Sequence, residues 1–195
     1  MYSHLLIGRT VYNFILNNFG FKLNYNSLEM GCIKPDISAE LINIPHYKEK
    51  SFDFIMEKIN SLKDIALPEN QRELKKFSCD LGIVLHYISD YFCYAHNDKL
   101  MDRMPQHFFY EMNLELELRK YLPKANFRSM DIHLTKEDHN NLKKSLFYYI
   151  NEKHKQYINE KPRVLKDIYY TLQVNHVVAL EIITASIVKT FPEVA

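Results

Sequence analysis

The sequence predicts an all-α fold in which residues 1–195 form a single domain, a helical bundle. Apolar residues recur at intervals of three and four along long segments, which is the spacing of one face of an amphipathic helix. Four glycines and seven prolines are spread over the 195 residues, so few turns are expected. A hydrophobic content of 47% is sufficient for a substantial core in one domain of this length.

The first helix is predicted over residues 3–18, with Ser3 as its N-cap. Residues 20–48 then break the helical pattern, because glycines and prolines punctuate them. These residues are Gly20, Gly31, Pro35 and Pro45. An irregular connection of this length is uncommon in a compact domain and is often functional. It places Asp36 and His46 on loops, where a single carboxylate such as Asp36 is more often a turn or cap residue.

A second helix is predicted over residues 51–62, and a long central helix is expected to begin near Glu69. The second half of this central helix, residues 81–97, has the sequence LGIVLHYISDYFCYAHN. Its apolar side chains recur every three or four residues, so it is expected to be a core element. Cys93 within it is predicted to be a small buried residue rather than a metal ligand.

The central helix also carries two histidines and an aspartate. His86 and Asp90 are four residues apart and therefore stack on one helical face. His96 comes six residues later, rotated by about 120° from Asp90, so it reaches a neighbouring point or lies where the helix ends. This spacing offers the pair to one metal ion and His96 to a second. The H-x-x-x-D motif is short, however, and side chains at the solvated edge of a helix explain it equally well.

Further helices are predicted over residues 107–122, 135–157 and 162–190. The first of these carries His107 and Glu111 four residues apart, so that both can face one metal ion.

The two later helices carry three more histidines. Thr135 and Asp138 form a pattern close to a capping box at the start of the first of them. His139 and His154 lie among charged residues and are predicted to be exposed. His176 lies on an apolar part of the last helix, so it is predicted to be a core or rim histidine.

Charge and cysteine content exclude some classes of function. The formal net charge of +1 gives no reason to expect a nucleic-acid scaffold, which would show a basic excess. Three cysteines without a C-x-x-C spacing argue against a disulfide framework and are typical of a reducing compartment. No Gly-rich phosphate loop, G-x-S-x-G elbow or internal repeat is present in the sequence.

The expected location is the cytoplasm, with secretion as the alternative if a leader was removed. The N-terminal sequence MYSHLLIGRTVYNF lacks the basic segment of a signal peptide, and a histidine and an arginine interrupt its apolar run. A membrane span needs roughly 20 apolar residues. The best candidate, residues 177–188, is shorter and contains Glu181.

Eight residues are candidates for a metal centre, five with imidazoles and three with carboxylates. They are His4, Asp36, His46, His86, Asp90, His96, His107 and Glu111. Imidazole and carboxylate donors without thiolates are a ligand set used by Zn²⁺ sites.

The order of these residues resembles that of the bacterial zinc-dependent phospholipase C family. The pattern is S-H-L-x-I, then Asp, then His, then H-x-x-x-D-x-x-x-x-x-H, then H-x-x-x-E, and it covers about the first 111 residues. In this chain its members are Ser3-His4-Leu5-Leu6-Ile7, Asp36, His46, His86-Asp90-His96 and His107-Glu111. The resemblance implies an all-α domain of the phospholipase C type, whose fold the zinc-dependent single-strand nucleases share.

The resemblance also implies a distribution of the ligands over two or three zinc ions. By the family pattern, one ion is held by His46, His86 and Asp90. Asp90 bridges to a second ion that His4 also binds. The remaining ion is held by His96, His107 and Glu111. Asp36 lies beside the first ion, as a ligand or as the catalytic general base.

The implied activity is hydrolysis of phosphodiester bonds, with a small phosphoester or a phospholipid as substrate. A phospholipid substrate would allow a transient contact with a membrane surface.

Secreted members of the family begin with a processed Trp that also binds the ion at the first histidine. This chain has no Trp, so two ions are the alternative to three. The alternative functions are a zinc-dependent nuclease, a small-phosphoester phosphatase, and a non-catalytic metal-binding interaction domain. Nucleic acid is the less favoured substrate because the chain has no basic excess, and no oligomeric state is predicted.

Overall fold

The computed structural model describes residues 2–97, 104–124 and 134–194, which form eight α-helices and contain no β-strand. The predicted all-α class is therefore confirmed. The helices are α1 (Tyr2–Phe19), α2 (Tyr25–Ile37), α3 (Lys48–Lys63), α4 (Gln71–Tyr91), α5 (Met104–Tyr121), α6 (Lys136–Lys144), α7 (Leu146–Asn159) and α8 (Val164–Thr190). Single 3₁₀ turns follow α4 at Tyr94–His96, α5 at Leu122–Lys124 and α8 at Pro192–Val194.

The two longest helices, α4 and α8, form the centre of the bundle. Thirteen consecutive or nearly consecutive residues at the end of α4 are buried, and α8 packs against α1, α3, α4, α5 and α7. By length and composition α8 would be long enough to cross a membrane, but 67% of its most apolar window is buried inside the fold. Such burial is typical of a core helix in a bundle.

Helix α2 occupies part of the segment 20–48 for which a loop was predicted, and that prediction is wrong. Asn24 caps α2 by accepting a hydrogen bond from the N–H of Ser27 (3.0 Å). Gly31 is a packing residue here, because a Cβ on it would lie 2.1 Å from the carbonyl oxygen of Cys79 in α4. Gly82 faces it from α4 with the same lack of space. The absence of side chains lets the two helix backbones touch, and this tertiary contact outweighs the poor helix propensity of glycine.

The central helix ends at Tyr91 and does not continue to Asn97 as predicted. The cause is a set of side chains that satisfy backbone groups after the helix. The Asn97 amide donates to the carbonyl oxygens of Tyr91 (3.0 Å) and Cys93 (2.8 Å). The N–H of Tyr94 donates to the carboxylate of Asp167 (2.8 Å). Cys93 is buried, as predicted, but lies in the extended backbone between α4 and the turn.

The single helix predicted over residues 135–157 is divided into α6 and α7. Ser145 has extended backbone (φ −178°, ψ 160°) and caps α7 by accepting from the N–H of Tyr148 (3.0 Å). The predicted capping box of Thr135 and Asp138 is confirmed at the start of α6.

The structure also shows which histidines of the later helices are exposed. His139 is exposed, as predicted. His154 was predicted to be exposed but is 5% exposed, because its Nε2–H donates to Asn97 Oδ1 (2.9 Å) and its ring packs against Phe92. His176 is fully buried in the core, and its Nδ1–H donates to the carbonyl oxygen of Leu172 (2.6 Å).

We expect Gly31→Ala to destabilise the metal-free protein by about 2–3 kcal/mol. The clash of the new Cβ with the α4 backbone outweighs the gain in helix propensity of about 1 kcal/mol. The matched control is Met30→Ala, because Met30 is the preceding residue of α2 and is 49% exposed. Urea unfolding in the presence of a chelator measures both variants. Equal midpoints for the two would contradict the close packing of α2 on α4.

Candidate metal centre

Six segments of the chain bring the eight candidate residues to one region. His4 lies in the first turn of α1, and Asp36 lies in the last turn of α2 rather than on the predicted loop. His46 lies on the connection before α3, as predicted. The other five come from α4 (His86, Asp90), the turn after α4 (His96) and α5 (His107, Glu111).

The carboxylate of Asp90 lies at the centre of this region and is 2% exposed. Its Oδ1 is 3.3 Å from the Nε2 atoms of both His4 and His96. Its Oδ2 is 2.7 Å from His46 Nδ1 and 3.1 Å from His86 Nε2. Four imidazoles from four segments therefore surround one carboxylate.

The charge state of Asp90 follows from these neighbours. Burial alone would raise the pKa of the carboxyl group, since it disfavours the ionised form. Electrostatic interactions with the imidazoles of His96, His86 and His4, and the hydrogen bond from His46, outweigh burial and hold the pKa of Asp90 well below its usual value. Asp90 is therefore ionised at neutral pH.

The backbone of α2 fixes the tautomer of His86, which is fully buried. Its Nδ1–H donates to the carbonyl oxygen of Cys32 (2.8 Å). The other ring nitrogen, Nε2, then carries a lone pair in the neutral imidazole, and it faces Asp90 and His46 Nδ1 (3.2 Å). A backbone acceptor on the far nitrogen is the usual support of a metal-binding histidine.

His4 stacks on the ring of His86, with centroids 4.0 Å apart and an interplanar angle of 25°. Burial, together with the neighbouring imidazole of His86, lowers the pKa of His4 well below its usual value, so the ring is neutral. Its Nδ1 has no hydrogen-bond partner within the residues that the structure describes. Its Nε2 is directed at Asp90.

His46 has the opposite pKa shift. Burial lowers the pKa of this imidazole, but the hydrogen bond to Asp90 and the charges of Asp90 and Asp36 raise it above its usual value. Asp36 is more open to solvent, with its side chain 31% exposed and its Oδ1 3.6 Å from His86 Nε2. These two side chains are therefore open to solvent on one side of the region.

A second group of donors is formed by His96, His107 and Glu111. The Oε1 atom of Glu111 is 3.1 Å from His107 Nε2 and 3.4 Å from His96 Nε2. Burial would raise the pKa of Glu111, but the hydrogen bonds from His107 and His96 outweigh it and hold the pKa well below its usual value. The sequence predicted that His96 would diverge from Asp90, whereas the structure places it between Asp90 and Glu111.

The donor set fits zinc. Four groups of three residues have ligand atoms that all lie within 4.8 Å of one another. They are His4-His86-Asp90, Asp36-His46-His86, His46-Asp90-His96 and His96-His107-Glu111. His46 Nδ1 and His86 Nε2 face each other at 3.2 Å beside the same carboxylate oxygen, Asp90 Oδ2, and donor atoms that converge in this way are suited to holding a cation. The chemistry of these donors is that of Zn²⁺ sites.

Sequence reasoning missed the side chains that support these ligands. Asn97 holds the backbone beside His96, and Asp167 accepts a hydrogen bond from the N–H of Tyr94 in the same turn. Asp167 carries no motif. The sequence signal that could have indicated its role is its position, since Asp167 is a carboxylate on a largely apolar helix.

Comparisons with known proteins identify one family. A family model described as zinc dependent phospholipase C matches residues 3–164. This match extends from α1 to the start of α8 and includes all eight candidate residues. No curated protein and no solved structure matches the chain.

We expect Asp90→Asn to lose most of the bound zinc, because a neutral amide cannot offset the charge of cations among four imidazoles. Asp80→Asn is the matched control, since Asp80 lies on the same helix but pairs with Lys58 and Lys76 (both 2.9 Å). Elemental analysis of protein purified without chelator gives zinc per chain. Zinc content unchanged in Asp90→Asn would contradict the central position of this carboxylate in the metal centre.

Proposed function

Because the chain belongs to the zinc-dependent phospholipase C family, we propose that it is a zinc-dependent hydrolase of phosphodiester bonds. The observation that carries the proposal is the buried, ionised carboxylate of Asp90 among four imidazoles from separate segments. Burying these polar groups is costly for a fold unless hydrogen bonds or a bound cation satisfy them.

The two oxygens of Asp90 support a bridging role. Oδ2 faces His46 and His86, and Oδ1 faces His4 and His96. Asp90 would therefore be shared by two ions, one held with His46 and His86 and the other with His4. A small cavity lined by His4, Asp90 and Glu111 supports the second position. His96, His107 and Glu111 would hold a third ion.

The family's cofactor supplies Lewis acidity, since zinc polarises phosphoryl oxygens and lowers the pKa of water toward about 7. The chain itself would supply the group that accepts a proton from the attacking water. Among the three carboxylates, Asp90 and Glu111 accept close contacts from imidazoles, whereas the shortest such contact of Asp36 is 3.6 Å. Asp36 is also the most exposed of the three. We therefore assign the role of general base to Asp36.

A phospholipid or a small phosphodiester is the proposed substrate. The net charge of +1 does not favour a nucleic acid, whose binding usually depends on a basic surface. Cleavage on the glycerol side of the phosphate would convert a phospholipid into diacylglycerol and a phosphorylated headgroup.

We expect the zinc-loaded protein to hydrolyse bis(4-nitrophenyl) phosphate and phosphatidylcholine vesicles, and to lose both activities in chelator until zinc is restored. Release of nitrophenolate and of diacylglycerol measures the two reactions. Faster hydrolysis of single-stranded DNA would indicate a nuclease instead, and faster hydrolysis of 4-nitrophenyl phosphate would indicate a phosphatase. Fully loaded protein that hydrolyses no phosphoester would favour a metal-binding interaction domain.

We expect Asp36→Asn to lower kcat at least about 100-fold, since a general base typically contributes 10²–10⁴-fold. Its zinc content should stay that of the wild type. The matched control is Asp53→Asn, an exposed carboxylate of α3. Unchanged hydrolysis would show that Asp36 is not the base, and loss of zinc would show that it is a ligand instead.

We expect His4→Ala to lower the zinc content by one ion per chain, from three to two, because the Nε2 atom of His4 faces Oδ1 of Asp90. His176→Ala is the control, since His176 is also buried on a helix but lies in the apolar core. Elemental analysis decides the outcome. Two ions in both the wild type and His4→Ala would show a two-ion centre in which His4 is not a ligand.

A further inference from the structure

Asp167 is a fully buried carboxylate in the first turn of α8, three residues beyond the end of the family match. It accepts three hydrogen bonds. Its Oδ2 accepts from the N–H of Tyr94 (2.8 Å) and from the hydroxyl of Tyr110 (2.6 Å), and its Oδ1 accepts from the hydroxyl of Tyr157 (2.8 Å). Both oxygens are thus engaged by donors of the protein, so Asp167 is not itself a candidate ligand.

The two donors that meet on Oδ2 come from the two segments that carry the second group of metal ligands. Tyr94 begins the 3₁₀ turn that ends at His96. Tyr110 lies on α5 directly before Glu111 and one turn after His107. The rings of Tyr94 and Tyr110 also contact each other, with centroids 5.6 Å apart. One carboxylate oxygen therefore joins the turn to α5 at a point next to all three ligands.

Helix α8 contributes none of the eight candidate ligands, yet it is the central helix of the core. The hydrogen bonds from Tyr94 and Tyr110 to Asp167 thereby hold a short turn and α5 in place against α8, a helix that itself packs against five other helices. The three bonds that Asp167 accepts are 2.6–2.8 Å long, and hydrogen bonds in a buried, low-dielectric site are stronger than in water.

We propose that Asp167 is the positioning residue of the His96-His107-Glu111 group, and that it sets the affinity of this group for zinc. The proposal rests on the metal-binding part of the proposed function. It does not depend on hydrolysis of any substrate. Loss of such outer groups typically weakens metal binding 10–100-fold.

The structure offers a matched pair of variants for the test. Tyr110→Phe removes one hydroxyl bond to Asp167 from the ligand-bearing helix α5. Tyr157→Phe removes the same kind of bond to the same carboxylate, but from α7, which carries no ligand. Competition with a chromophoric chelator on the full chain gives the zinc affinity of each ion, and thermal unfolding of the metal-free proteins gives their stability.

We expect Tyr110→Phe and Asp167→Asn to weaken the binding of one zinc ion at least tenfold and to leave the other ions unchanged. Tyr157→Phe should stay within about twofold of the wild type, while both Tyr→Phe variants show a similar fall in the midpoint of unfolding. In a Glu111→Gln background, which lacks a ligand of the group, adding Tyr110→Phe should change the affinity of the remaining ions less than twofold.

Several results would overturn the proposal. Equal weakening by Tyr110→Phe and Tyr157→Phe would show that Asp167 has only a structural role, and no weakening by Tyr110→Phe would show that it does not act on the group. Loss of affinity at every ion would point to general destabilisation. A wild-type chain that binds zinc but hydrolyses no phosphoester would contradict the proposed activity alone. A wild-type chain that binds no zinc would refute both proposals.

Discussion

The structure depends on the burial of one ionised carboxylate, Asp90, at the meeting point of several segments. A carboxylate that is 2% exposed is costly unless cations or hydrogen-bond donors surround it. Here four imidazoles supply that environment, and each comes from a different part of the chain. The helices must therefore pack so that α1, the connection before α3 and the turn after α4 all reach the same face of α4. This requirement accounts for features of the fold that helix propensity alone would not favour.

The contact between α2 and α4 shows how the packing serves the ligands. Gly31 and Gly82 let the two backbones touch, and the same approach brings the carbonyl of Cys32 within 2.8 Å of His86 Nδ1. That bond directs the other nitrogen of His86 toward Asp90. A side chain at either glycine would separate the helices, and the acceptor that orients the imidazole would move away from it. The close packing therefore acts on the chemistry of the centre as well as on stability.

Much of the fold and the candidate ligand set could be predicted from the sequence, and the errors in the fold share one physical cause. Three- and four-residue periodicity predicted the helices, and the i,i+4 spacing of His86 with Asp90 and of His107 with Glu111 predicted which residues face each other. Gly31 was interpreted as a loop residue because its role depends on α4, some fifty residues later in the sequence. The end of α4 depends on Asn97 and on Asp167 in another helix. A local sequence pattern cannot show contacts between residues that are far apart in the chain.

The two groups of ligands are supported in different ways, and this difference follows from where they lie in the chain. His86 and Asp90 are on a buried helix whose neighbours α1 and α2 press directly against it, so backbone packing orients them. The second group lies on a single 3₁₀ turn and on α5, which carries an exposed apolar face that includes Phe108 and Phe109. Such elements have less packing to fix them, so their orientation must come from specific hydrogen bonds. His96 lies 3.3 Å from Asp90 and 3.4 Å from Glu111, which makes it the link between the two groups. A displacement of its turn would therefore alter both groups, and the bond between that turn and α8 protects the whole centre.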